Sequence, residues 1–143
     1  MIDKKERQNI IKKLVRDKKI KTQDEIISAL KKRGVKATQA TISRDISGLG
    51  LDKSKNGFYV LAEDVHLAKM MRDFVDEIVM ANNLILVKCS AGAAPGFAAA
   101  LDKIKWKEVL GTIAGDDTVL MITSDKMSAK LVQEKLKMFN LLN

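Results

Sequence analysis

Hydrophobic positions divide the chain into runs of two different periods. Ile10, Ile11, Leu14 and Val15 recur at the spacing of one helix face, with Lys4, Lys5, Lys12, Lys13, Lys18 and Lys19 around them, and predict a first amphipathic helix. A second begins at Thr22. In Thr22-Gln23-Asp24-Glu25 the hydroxyl can serve one unpaired amide and the carboxylate can reach back to another, the capping-box arrangement. Ile26, Ile27 and Leu30 supply its apolar stripe and Gly34 ends it. Thr38 can cap a third helix running to Gly50, which buries Ile42, Ile46 and Leu49 at i, i+4 and i+7. Beyond it, Asn56-Gly57 between two short strands signals a two-residue hairpin, with Lys53 and Lys55 near its tip.

The second half repeats the alternation of periods. After the short stretch 62–66, Leu67, Met70, Met71, Phe74, Ile78 and Val79 continue at helical spacing. Asn82-Asn83 forms a turn into a buried strand, Leu-Ile-Leu-Val-Lys-Cys, and the small-residue loop Ala91–Gly96 leads into a helix with Phe97, Leu101 and Ile104 inside. Pro95 suits the first turn of that helix, where its missing amide would be unpaired anyway. Val109–Ala114 and Thr118–Thr123 read as strands joined by Gly115-Asp116-Asp117. Ser124 then caps a last helix carrying Leu131, Val132, Leu136 and Phe139. Helix, strand, helix, strand, strand, helix implies a small α/β sandwich, a sheet with helices on one face. The expected fold class is thus α/β (α+β): three helices and a hairpin, the winged helix-turn-helix arrangement, over 1–62; a linker and connecting helix over 63–80; a second domain over 81–143.

Charge separates these domains further. Residues 1–60 hold 16 Lys and Arg against 7 Asp and Glu, a net of +9, and the remainder is close to neutral, so the excess of the 143-residue chain is N-terminal. Such asymmetry points to a polyanion as partner of the first domain. The outward face of the third helix carries Ala40, Ser43, Arg44 and Ser47, small and hydroxylated with one arginine. Small residues permit close approach to base edges, hydroxyls donate or accept, and an arginine addresses guanine or phosphate with two parallel bonds. Double-stranded DNA is the expected partner, with Lys53 and Lys55 on its backbone. The alternative is a lysine-rich solvated surface. No apolar run reaches the roughly 20 residues of a membrane helix, and the N-terminus lacks the apolar centre of a signal peptide, so a cytoplasmic protein without membrane contact is expected. Cys89 lies in an apolar run and reads as a buried thiol; His66 has no partner for a metal site. The second unit is small for an independent core, and its Ala- and Met-rich helices suggest self-association.

Three readings fit Gly115-Asp116-Asp117. It is a turn, glycine supplying positive φ and aspartate bonding its own backbone. It is a catalytic or metal pair, although no further acidic cluster, histidine pair or phosphate-cradling loop accompanies it, and no enzyme or cofactor is expected. Or it receives a small cation, through charge-assisted hydrogen bonds of roughly 1.5–3 kcal/mol each.

Two stretches narrow the choice. Thr38-Gln-Ala-Thr-Ile-Ser-Arg-Asp45 and Gly111-Thr-Ile-Ala-Gly-Asp-Asp-Thr118, in this order and spacing, resemble the bacterial arginine repressors over almost the whole chain. The resemblance implies a transcriptional regulator of arginine metabolism genes, assembled as a homo-oligomer (trimer, and hexamer as a dimer of trimers), with L-arginine as corepressor between trimers. It places DNA reading on Ser43 and Arg44, with Gln39 and Thr41 beside them and Ser47 on the same face. It places L-arginine on Asp116 and Asp117, with Thr112, Ala114 and Ala94 in the pocket wall and Asp102 on the preceding helix. In one respect the chain departs from the pattern: Pro95 stands where the family carries a glutamine that helps hold the ligand. A second reading therefore stays open, a DNA-binding oligomer with lost or altered effector binding that acts with a paralogous subunit.

Overall fold

The computed structural model describes residues 2–139, so Met1 and the last four residues of the expected 81–143 domain lie outside it. The chain divides into two compact units, residues 1–62 and 63–143.

The first unit contains α1 (Lys4–Asp17), α2 (Gln23–Lys32), α3 (Gln39–Leu49), β1 (Leu51–Lys53) and β2 (Tyr59–Leu61). Its core gathers Ile11, Leu14, Val15, Ile20, Ile26, Leu30, Val35, Ile42 and Tyr59. The complete capping box belongs to α1, where Asp3 accepts from the Glu6 amide and Glu6 accepts from the Asp3 amide. At α2 only half of the expected box forms. Thr22 accepts from the Glu25 amide, but the Glu25 carboxylate takes the amide of Lys21 instead of Thr22. The hairpin also differs from expectation. Five residues separate β1 from β2: Ser54 donates its amide to the Phe58 carbonyl, and Gly57, at φ +82°, donates to Ser54. Gly57 is thus the left-handed residue that closes a longer turn, a conformation open to glycine at no steric cost. The Tyr59 amide bonds the Ile20 carbonyl, which ties the wing to the α1–α2 link.

The second unit contains α4 (Ala62–Phe74), β3 (Val75–Ala81), β4 (Leu84–Cys89), α5 (Ala94–Ile104), β5 (Val109–Ala114), β6 (Thr118–Thr123) and α6 (Lys126–Phe139). Ile78 and Val79, expected on a helix, are in β3. Residues 63–80 are therefore a helix and a strand of this unit, α4 contributing Leu67, Ala68 and Met71 to its core and β3 supplying a strand of its sheet. The strand prevails because Val75–Ala81 can pair along its length with β4 across the turn Asn82-Asn83, Ala81 facing Leu84 and Ile78 facing Val87. The sheet is antiparallel, in the order β3-β4-β6-β5.

Alternation along the strands gives the sheet two different faces. Ile85, Val87, Cys89, Val119, Met121 and Thr123 are buried with the inner residues of α5 and α6. The other face shows Val79, Leu84, Leu86, Leu120, Ile122 and Ile113, of which Val79 and Ile113 are exposed; Leu110, 69% exposed at a bulge in β5, adds to the uncovered apolar surface. On α6 the cap is Asp125, which accepts from the Ser128 amide at 2.7 Å, in place of the expected Ser124. Val132, Leu136 and Phe139 face inward, but Leu131 is exposed with Met127 on the outer side of the helix. Cys89 is buried and His66 exposed. No described helix is long and apolar enough to cross a membrane, and no group of three or more metal-ligating side chains occurs among the described residues.

Candidate functional site

In the first unit the relevant surface is built on α3. Thr38 caps it by accepting from the Thr41 amide, and Gly50 ends it in the left-handed region. Gln39, Ala40, Ser43, Arg44 and Ser47 are exposed and Thr41 is half-buried. A chain of weak polar contacts runs along this face: the Thr38 and Thr41 hydroxyls lie 3.0 Å apart, and Arg44 Nη2 reaches the Thr41 hydroxyl at 3.5 Å. Lys53 and Lys55 are exposed on the wing, with Lys53 Nζ 5.0 Å from the centre of the Tyr59 ring.

The opposite face of α3 holds a residue that periodicity alone assigns no role. Asp45 is 1% exposed, among Ile42, Ile46 and Leu49. Arg7 grips it through Nε and, at 2.9 Å, through Nη2, and Gln8 Nε2 donates to it at 3.2 Å. Burial by itself raises the Asp45 carboxyl, but the hydrogen bonds from Arg7 and Gln8 and the Arg7 charge outweigh it, so the group titrates below the ordinary carboxylate range. The helix α3 is thereby bolted to α1. An acidic residue at a core position opposite a basic first helix is the sequence signal for such a bolt.

In the second unit the turn between β5 and β6 presents Asp116 and Asp117, both exposed. Their backbones are fixed: the Asp117 carbonyl accepts from the Cys89 amide at 2.7 Å, the Asp116 carbonyl accepts from the Ala94 amide at 3.2 Å, and the Gly115 amide bonds the Thr118 carbonyl. Asp116 Oδ2 also accepts from the Gly92 amide at 3.3 Å, and Asp117 Oδ1 from the Thr118 hydroxyl at 3.0 Å. Gly92 has φ +80°, a conformation that side chains rarely adopt, so the loop that offers this amide requires glycine. Ala94 is fully buried, so its backbone alone can take part; Pro95 beside it is exposed in the first turn of α5.

The remaining candidates form a second group. Asp102 Oδ1 accepts from the Thr112 hydroxyl at 2.8 Å, and both line a small pocket with Lys105, Trp106, Val109 and Met121. Trp106 packs edge-on against Phe139. Asp102 follows Ala94 by eight helical residues, about 12 Å along α5. One chain thus brings Asp116, Asp117 and Ala94 together, and Asp102 and Thr112 together, with Ala114 half-buried on β5 between the groups. Among the described residues no lysine or arginine pairs with Asp102, Asp116 or Asp117. What this arrangement offers chemically is carboxylate acceptors, held on a rigid backbone, that lack a cation.

Both units match known families. Residues 2–66 match the model described as "Arginine repressor, DNA binding domain", and residues 71–138 match "Arginine repressor, C-terminal domain". Similar curated proteins include the Arginine repressor of Solibacter usitatus, 46% identical with 91% of this chain and 92% of that protein covered. That of Thermotoga maritima is 38% identical, with 94% and 96% covered. The Arginine repressor of Koribacter versatilis is 41% identical, with 82% and 85% covered.

Proposed function

The chain belongs to the arginine repressor family, DNA-binding transcriptional regulators that respond to arginine, and from that premise we propose how its residues divide the work. α3 enters the major groove of operator DNA. Ser43 and Arg44 read base edges, Gln39, Thr41 and Ser47 support them, and Lys53 and Lys55 take phosphates on either side of the wing. The second unit binds L-arginine as effector. Asp116 and Asp117 receive its cationic end by charge-assisted hydrogen bonds, and Asp102, Thr112, Ala94 and Ala114 complete the pocket.

The observation that carries the effector reading is the pair of exposed carboxylates on a fixed turn with no cation of their own. The distance between the two acidic groups favours a pocket completed by a second chain, and the uncovered apolar face of the sheet supports a homo-oligomer. Leu110 and Ile113, 69% and 63% exposed, would each stabilise such an interface by about 1–2 kcal/mol if fully covered. We place L-arginine between trimers of a hexamer, where it neutralises crowded carboxylates and favours assembly by mass action. The protein acts in the cytoplasm, without cofactor and without catalysis. Exposed Pro95, which offers no side-chain hydrogen bond in the first turn of α5, favours a second reading in which the effector is held only with a paralogous subunit.

Trp106 lines the small pocket that holds Asp102 and Thr112, and reports on that end of the proposed site. Titrating L-arginine into the full chain should shift Trp106 fluorescence, lysine or citrulline should not, and Asp117→Asn should remove the response. A shift of equal size in Asp117→Asn would contradict the assignment; no shift without a paralogous subunit, and a shift with one, would support the second reading.

A further inference from the structure

One basic cluster remains outside the surfaces described above. In the α1–α2 link, Lys18-Lys19-Ile20-Lys21, Ile20 is buried in the core at 3% exposure and its carbonyl is bonded to the Tyr59 amide, while Lys19 and Lys21 are exposed. Both reach the same ring: Lys19 Nζ is 5.5 Å and Lys21 Nζ 4.9 Å from the centre of Phe58, in the turn of the wing. Lys53 lies over the next ring, Tyr59.

No ion pair to Lys19, Lys21 or Lys53 occurs among the described residues; the nearby Glu25 and Asp52 carboxylates accept from the backbone amides of Lys21 and Lys53. The two ammonium groups on Phe58 stand within about a Debye length of each other, so their repulsion is only partly screened. The aromatic face orders both stems and occupies one side of each ammonium, leaving donors free on the other. Convergence on one ring costs side-chain freedom and places like charges together; an anion held between them offsets both.

We propose that Lys19 and Lys21, organised by Phe58, form a clamp for a DNA backbone phosphate where the α1–α2 link meets the turn of the wing, a contact distinct from those of Lys53, Lys55 and α3. The clamp rests on the reading of the first unit as a DNA-binding unit. It adds sequence-independent affinity, and it fixes the wing against the duplex through the bond between Tyr59 and Ile20.

The test measures binding of the full chain, with L-arginine, to a fluorescent 40-base-pair duplex of mixed sequence between about 50 and 200 mM salt. Removing one lysine that neutralises a phosphate should make the slope of log K against log salt shallower by about 0.9. Lys19→Ala/Lys21→Ala, which removes the contact to one phosphate, should therefore flatten the slope by about 0.9 per DNA-binding unit engaged, and bind about tenfold or more weakly at 0.15 M salt. Phe58→Leu, which leaves the charge unchanged, should give part of the same flattening. Lys130→Ala/Lys137→Ala on α6, which removes the same charge, should keep the slope of the unaltered protein. All variants are compared at matched thermal midpoints. An unchanged slope in Lys19→Ala/Lys21→Ala, or an equal flattening in Lys130→Ala/Lys137→Ala, overturns the clamp while leaving the DNA-binding reading intact. No binding by the unaltered chain overturns both.

Discussion

At the scale of single residues, α3 separates two tasks that lie within one turn of each other. Arg44 is exposed and held only loosely by Thr41, free to meet a base edge, whereas Asp45 is sealed in the core. Arg44→Ala should relax discrimination between operator and non-operator DNA by about 1–3 kcal/mol, measured as the ratio of the two affinities at fixed salt. An unchanged ratio with uniformly weaker binding would make Arg44 a phosphate contact instead. The outward position of Arg44 was legible from a helical wheel. The role of Asp45 was not, because a wheel shows that a charge faces inward without showing which distant residue meets it. Arg7 is 38 positions away in sequence.

At the scale of elements, the Arg7–Asp45 bridge joins α1 to α3, and its stability follows pH. Asp45 titrates below its ordinary value in the folded chain, so the folded state binds fewer protons at this site. Its contribution is present above the unfolded carboxyl value of about 3.9 and is lost as pH falls through the lower folded value. Asp45→Ala should destabilise the first unit by about 3 kcal/mol at neutral pH, the low end for a broken buried pair because Arg7 keeps some solvent access. The difference from the unaltered chain should narrow in denaturant melts below about pH 4. A constant difference down to pH 2 would mean that packing, not charge, supplies the stability. Elements with closing chemistry of their own were legible: β5, its acidic turn and β6 follow from the glycine and the flanking apolar runs. β3 was not, since Phe74, Ile78 and Val79 also satisfy a helical period, and only pairing with β4 decides between them. The wing shows the same limit, because Asn-Gly marks a turn but hydrogen bonds from Ser54 and Gly57 set its length.

At the scale of the whole molecule, family membership joins a DNA-binding domain and a C-terminal domain in one chain, and the proposed assembly shares the acidic groups of α5 and of the β5–β6 turn between chains. The position of the acidic pair was legible in the sequence. The fixed backbone beneath it and its separation from Asp102 required the fold, since both arise from contacts of β4 and α5 with the turn. Presenting several wings together multiplies a weak single-site affinity through effective concentration. The most direct measurement is sedimentation of the full chain with fluorescent palindromic operator DNA, with and without L-arginine, so that assembly state and DNA occupancy are read in the same sample. L-arginine should raise both together, with the larger species carrying the DNA. Tighter DNA binding with no change in assembly, or no response of either to L-arginine, would contradict the account.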